Sequence, residues 1–262
     1  MDFEFKDKYE ISDLVKIMDI LRSPKGCPWD KEQTHKSIRS NFIEETYEAI
    51  EAIDTNNPEL LKEELGDVLL QVVFHSKMEE ELKNFNFSDV VDGICKKLVI
   101  RHPHIFSDLK LSSSEEVLQN WDKIKMKTKS QKNQSEVMNS ISKALPPLMR
   151  SKKIQQKASK IGLDFKDVNE AMEKIIEEYQ ELSEAIGENS VDNCFEEIGD
   201  LLFSVVNVSR ILKIDPDYAL TKSCDKFIKR FTKFEKIVDE MGLDVSRLSD
   251  KNLDSIWIES KK

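Results

Sequence analysis

An all-α protein built as two tandem four-helix-type repeats is the architecture this sequence predicts, and three observations carry it. Apolar residues recur at helical spacing through almost every long segment. Glycine and proline number 7 each in 262 residues, about half of their usual combined share of roughly 12 %; a fold rich in tight turns needs both. Ile43–Val73 aligns without a gap on Ile176–Val206, with 15 of 31 positions identical at an offset of 133. One helical unit therefore occurs twice.

The elements follow in order. Ile11, Leu14, Val15, Met18 and Leu21 mark a first helix, closed by Ser23-Pro24-Lys25-Gly26. A second is expected over 31–54 and a third over 58–82, with Pro58 suited to a first turn. Segments near 88–101 and 114–127 read as two more. Residues 125–140 are polar with almost no large apolar side chains, and no aromatics interleave their lysines. That stretch reads as a solvated linker rather than a nucleic-acid patch. It separates a first repeat, 1–124, from a second, 141–262, where helices are expected over 141–160, 167–187, 191–213, 216–241 and 250–260.

Composition excludes several functions. With 50 acidic and 40 basic residues the net charge is −10, which opposes binding of long nucleic acids, since that depends on cations neutralising phosphates. No apolar run approaches the roughly 20 residues that span a bilayer, and Met-Asp-Phe-Glu-Phe lacks the parts of a secretion signal. Cys27, Cys95, Cys194 and Cys224 form no C-x-x-C pair, so reduced thiols in the cytoplasm are the expectation. No glycines are spaced as a P-loop or a G-x-G-x-x-G requires.

Both repeats carry E-E-x-x-E, fifteen intervening residues, then E-x-x-D: Glu44, Glu45, Glu48, Glu64 and Asp67, and Glu177, Glu178, Glu181, Glu197 and Asp200. Positions i, i+3 and i+4 share a helix face, so Glu178 and Glu181 point the same way with Glu177 beside them, and Glu197 shares a face with Asp200. A short turn between the two helices makes them antiparallel neighbours and brings the acidic faces together. Like charges at this spacing cost roughly 0.2–0.5 kcal/mol per exposed pair. A hard divalent cation relieves them most directly, and Mg²⁺ suits carboxylates, water and substrate phosphates. The alternative is a pair of glutamate-rich solvated helices in an acidic protein.

These residues resemble a known family. E-E-T-Y-E … E-E-L-G-D-V-L-L-Q-V-V and E-E-Y-Q-E … E-E-I-G-D-L-L-F-S-V-V are similar to the two repeats of MazG nucleoside triphosphate pyrophosphohydrolases. So are Gly26-Cys27-Pro28-Trp29-Asp30, Arg101-His102-Pro103-His104-Ile105-Phe106, Leu148-Met149-Arg150 and Lys153-Ile154-Gln155. The resemblance covers nearly the whole chain. It implies the all-α NTP pyrophosphatase fold assembled as a homodimer, Mg²⁺, and hydrolysis of an NTP or dNTP to the monophosphate and pyrophosphate. Broad base specificity and a role in nucleotide-pool clean-up are the accompanying expectations.

A triphosphate entering an acidic cleft needs further cations. Lys226, Lys229 and Arg230 fall at i, i+3 and i+4, and the resemblance puts phosphate contacts there; a basic face forming surface ion pairs is the competing reading. It also gives Trp257 a base-stacking role, against that of a packing anchor, and Asn207 can touch the nucleotide. The first repeat offers Lys96, Lys97, Arg101 and Trp121, but Gly93 stands where Lys226 does. The second repeat is therefore the favoured catalyst. Metal is assigned to Glu178, Glu181, Glu197 and Asp200, with Glu45, Glu48, Glu64 and Asp67 as first-repeat ligands. Glu177, or a carboxylate sharing a metal-bound water, is expected to orient or deprotonate the attacking water, with Glu44 the first-repeat counterpart of Glu177. His35, His75, His102 and His104 form no H-E-x-x-H or E-x-x-H pattern and read as structural, against a His-ligated di-iron bundle. Trp29 and Phe165 read as core. A non-catalytic scaffold and a narrow dUTP-type hydrolase are the competing functions.

Overall fold

The computed structural model describes residues 3–245 and 248–261, which are helices and connections with no strand among them. The chain divides into two compact units, residues 1–125 and 126–262. The first holds α1 (Ile11–Arg22), α2 (Pro28–Glu32), α3 (Arg39–Asp54), α4 (Pro58–Glu81), α5 (Phe87–Arg101), α6 (Pro103–Phe106) and most of α7 (Ser114–Thr128). The second holds α8 (Gln134–Asn139), α9 (Pro147–Ser159), α10 (Val168–Gly187), α11 (Val191–Ile211), α12 (Pro216–Glu240) and α13 (Asp250–Glu259).

One helix organises each unit. In the first, α4 packs on α1, α3 and α5; in the second, α11 packs on α9, α10 and α12. Met18, Ile38, Val73, Phe74 and Met78 form the first core, with Leu14, Val15, Leu70 and Phe87 against it. Arg22 fastens α1 to α4 through two bonds to Glu81, at 2.8 and 2.7 Å. In the second unit Phe234, Val238 and Ile256 form a cluster joined by Leu248, Leu253 and Trp257.

The two central hairpins are turned by the same device. Asn56 and Asn189, 133 residues apart, adopt left-handed backbone with φ of 53° and 55°. The Asn56 and Asn57 N–H groups donate to the carbonyls of Ile53 and Ala52; those of Asn189 and Ser190 donate to Ile186 and Ala185. This double bond satisfies carbonyls that a helix end leaves unpaired. Asn57 and Ser190 then cap the following helices by accepting from Leu60 and Asn193 N–H. With only Thr55–Asn57 or Glu188–Ser190 between them, the helices run antiparallel.

The structure departs from the expected helices in three places. The helix expected from Lys31 begins at Arg39. Thr34 N–H donates to Ser37 Oγ at 2.9 Å, and Ser37 Oγ bonds Gln33 Oε1 at 2.7 Å and Thr34 O at 3.0 Å; such local bonds compete with helix. The helix expected from 141 begins at Pro147, because Pro146 and Pro147 disfavour α geometry in the residues before them. Residues 125–140 carry the end of α7 and all of α8. Asn133 caps α8 by accepting from Glu136 N–H at 2.9 Å, and Val137 is buried.

Candidate active site

Each hairpin gathers its acids at one place. In the second unit Glu178 of α10 and Glu197 and Asp200 of α11 bring carboxylate oxygens within 4.8 Å of one another. In the first unit Glu45 and Glu48 of α3 meet Glu64 of α4 within the same 4.8 Å span. The fourth acid of each set borders its group. Glu181 feels the charges of Glu178 and Glu197, and the charge of Asp67 reaches Glu45 and Glu64. Glu64 and Glu178 are only 7 % and 4 % exposed, so these are not solvated surface acids. Glu44 and Glu177 are exposed beside them.

Burial, followed by neighbouring carboxylates, pushes Glu45, Glu64, Glu181 and Glu197 above the ordinary glutamate value of 4.5. The donor set is all oxygen, anionic and crowded, and it fits a hard divalent cation. The pH dependence follows in sign. A raised carboxyl holds its proton more tightly in the folded chain, so its contribution is most favourable below 4.5 and is lost as pH rises through the raised value. A bound cation reverses the loss, because it binds the ionised ligands. Adding Mg²⁺ is therefore expected to raise the melting temperature more at pH 7.5 than at pH 5. Equal increments in a thermal-shift series would contradict this.

The second site has a lysine beside its acids. Lys174, one turn before Glu178 on α10, reaches Glu177 at 2.8 Å and Glu178 at 2.7 Å. Those two bonds hold its ammonium far above the ordinary lysine value. Sequence reasoning passed over this residue, because a lysine four residues before a motif glutamate reads as an ordinary surface ion pair.

The remaining residues are placed as follows. Lys226 and Lys229 are exposed and Arg230 is half-buried on α12. The Trp257 ring lies 5.2 Å from Phe227 and 6.2 Å from Phe234, so aromatic packing fixes its orientation. Asn207 accepts from Arg210 at 3.0 and 2.7 Å, and Arg210 also grips Asp164. Its amide oxygen is thus engaged in tying α11 to the loop before α10. In the first unit Lys96 pairs with Asp92 at 2.5 Å and Lys97 is exposed. Arg101 stacks over Trp121 at 5.3 Å, with His102 at 4.9 Å from the same ring. His35 and His75 face each other through Nδ1 at 2.7 Å, and His35 approaches Glu79 at 2.7 Å. Trp29, expected in the core, is 57 % exposed: α2 is a five-residue helix with no buried residue. Phe165 is half-buried.

Two helical units, each gathering acids from both helices of one hairpin around a single buried glutamate, define a class of helical protein with sites suited to a divalent cation. Comparison with known proteins gives the family. The model of the MazG nucleotide pyrophosphohydrolase domain matches twice, at residues 33–106 and 166–234. The "Nucleoside triphosphate pyrophosphohydrolase/pyrophosphatase MazG" of Thermotoga maritima is 45 % identical over 249 residues, 95 % of this chain and 94 % of its own. The "Nucleoside triphosphate pyrophosphohydrolase" of Escherichia coli strain K12 is 39 % identical over 256 residues, 97 % of each chain. The chain belongs to the MazG family.

Proposed function

We propose that the second repeat is the catalytic centre of a Mg²⁺-dependent enzyme with broad base specificity. Family membership makes the chain a nucleoside triphosphate pyrophosphohydrolase: water adds across the bond between the α- and β-phosphates, giving a nucleoside monophosphate and pyrophosphate. The observation that carries the choice of repeat is an asymmetry. Both repeats gather three acids within 4.8 Å with a fourth bordering them, but only the second sets three cations, Lys226, Lys229 and Arg230, at i, i+3 and i+4 on one helix.

In this reading Glu178, Glu181, Glu197 and Asp200 hold Mg²⁺. When bound, the ion offsets charge on the phosphate oxygens as the bond breaks. Glu177 orients the attacking water and draws its proton. Lys226, Lys229 and Arg230 bind the pyrophosphate as it leaves, and Arg230 offers a forked contact. Trp257 stacks on the base; every base has a π-face, so stacking alone discriminates little. Asn207 contributes to the nucleotide pocket through its amide group. The first repeat holds a divalent ion through Glu45, Glu48, Glu64 and Asp67. Its Glu44, Lys96, Lys97, Arg101 and Trp121 are the counterparts of a site that does not turn over. The test is pyrophosphate release from ATP, GTP, CTP, UTP and their deoxy forms, with Mg²⁺ and then with EDTA. Comparable rates across bases are expected, and a rate confined to dUTP would sink the broad reading. Metal-independent release, or none at all, would sink the reading as a whole.

We read the active form as a homodimer, acting on the nucleotide pool of the cytoplasm. Four apolar positions are exposed at the same places in both hairpins: Ile43 and Ile176, Ile53 and Ile186, Leu65 and Ile198, Leu69 and Leu202. Apolar side chains left exposed at matching positions of both hairpins support coverage by a second copy. A cytoplasmic setting is supported by four free thiols, Cys27, Cys95, Cys194 and Cys224, and no helix among the described residues is long and apolar enough to cross a membrane. Light scattering is expected to give twice the 30.4 kDa chain mass, and Ile198→Lys with Leu202→Lys to shift it toward the monomer. A wild-type monomer would contradict the assembly.

A further inference from the structure

We propose that Lys174 is a built-in counterion of the second acidic cluster, one that an incoming divalent cation must displace, so that the two repeats bind metal with unequal affinity and the first binds more tightly. The inference rests on the metal reading of both clusters and adds to it a difference between them.

Three observations carry it. The Lys174 ammonium lies 2.7 Å from Glu178 and 2.8 Å from Glu177, and Glu178 is only 4 % exposed. The Glu178 end of this contact is therefore buried in the cluster, while Lys174 and Glu177 remain partly open to solvent. Lysine preceding glutamate by four residues is also the less favourable order on an isolated helix, so the surrounding carboxylates hold the pair more than the helix does. Its charge reaches Glu181 and Glu197 as well, easing the repulsion at both. In the first repeat the position 133 residues earlier is Asn41, whose side-chain oxygen accepts from Ser40 at 3.4 Å. Among the described residues no lysine or arginine forms an ion pair with Glu45, Glu48, Glu64 or Asp67, and burial and other carboxylates dominate around Glu45 and Glu64.

The physical consequence is a competition. A cation entering the first cluster meets crowded carboxylates that no lysine or arginine among the described residues pairs with, so all of the relieved repulsion favours binding. In the second cluster Lys174 already relieves part of it, and binding must also break its two bonds. Releasing Lys174 frees Glu177 at the same moment. Metal loading therefore makes available the carboxylate assigned to the attacking water.

The test is a Mn²⁺ titration of the full-length protein, followed by the electron paramagnetic resonance of free Mn²⁺, with the metal-free melting temperature measured alongside. Wild type is expected to show a tighter and a weaker class of site, the tighter removed by Asp67→Asn and the weaker by Asp200→Asn. Lys174→Met should tighten the weaker class about tenfold (about 1.4 kcal/mol) and lower the metal-free melting temperature. Asn41→Lys should weaken the tighter class by a similar factor; it decides the matter if Lys174→Met does not fold. Mn²⁺ affinities that neither substitution moves, or a weaker class lost in Lys174→Met, overturn the counterion while leaving the metal sites standing. A wild-type chain that binds no Mn²⁺ in either repeat overturns the metal reading itself, and this inference with it.

Discussion

Replacing Asp200 by Asn or Glu181 by Gln is expected to lower Mg²⁺-dependent pyrophosphate release by at least about 100-fold. Groups that only orient a metal ligand cost about 10–100-fold when removed, and these two are assigned as ligands themselves. Asp200 lies with Glu178 and Glu197 in the 4.8 Å group, and Glu181 closes the set from α10. The amides keep the shape of the carboxyls and remove one negative charge. Helix content by circular dichroism should therefore be unchanged, and the metal-free protein should be no less stable, because a crowded charge has gone. Full activity in both variants would mean that the second cluster is not where the reaction occurs.

Gly26→Ala is expected to destabilise the first unit strongly. A Cβ at Gly26 would stand 2.1 Å from the Leu21 carbonyl oxygen and 2.3 Å from that of Ile20. Both are backbone atoms at the end of α1, and the loop is already tied down. Gly26 N–H donates to Ser23 O at 2.8 Å, and Cys27 N–H donates to Leu21 O at 2.8 Å. No side chain can swing aside, so the loop itself must move. Forced repacking of this kind costs about 1–3 kcal/mol, occasionally more. In a unit of this size that is a fall of roughly 5–15 °C in melting temperature. Ala substitution at Gly66 or Gly199, where an added Cβ meets nothing within 4 Å, should leave the melting temperature level or raised. An unchanged Gly26→Ala protein would mean that this loop is not held as described.

The paired hairpins and their acids were legible because helix geometry is written locally. An i, i+3, i+4 pattern fixes a face, and the gapless repeat doubled the signal. Contacts between residues distant in sequence were not legible. Arg210 reaches back 46 residues to Asp164 while holding Asn207, and no spacing rule connects them. The late start of α3 was hidden because Thr34 and Ser37 bond to each other rather than continue the helix. Trp29 reads as core from its place before the acid motif, matched by Phe165, but α2 is too short to bury it. Lys174 was overlooked for a subtler reason. On an acidic helix a lysine reads as a surface ion pair, and only the burial of Glu178 distinguishes a counterion within the cluster.

The central claim, that catalysis belongs to the second repeat, is tested most directly by silencing one repeat at a time in the full-length chain. Pyrophosphate release from a mixture of NTPs and dNTPs with Mg²⁺ would be compared for Glu48→Gln with Asp67→Asn, and for Glu181→Gln with Asp200→Asn. The first pair should retain most of the wild-type rate, and the second pair should lose it as completely as EDTA treatment does. A first-repeat pair that is inactive beside an active second-repeat pair would contradict the assignment.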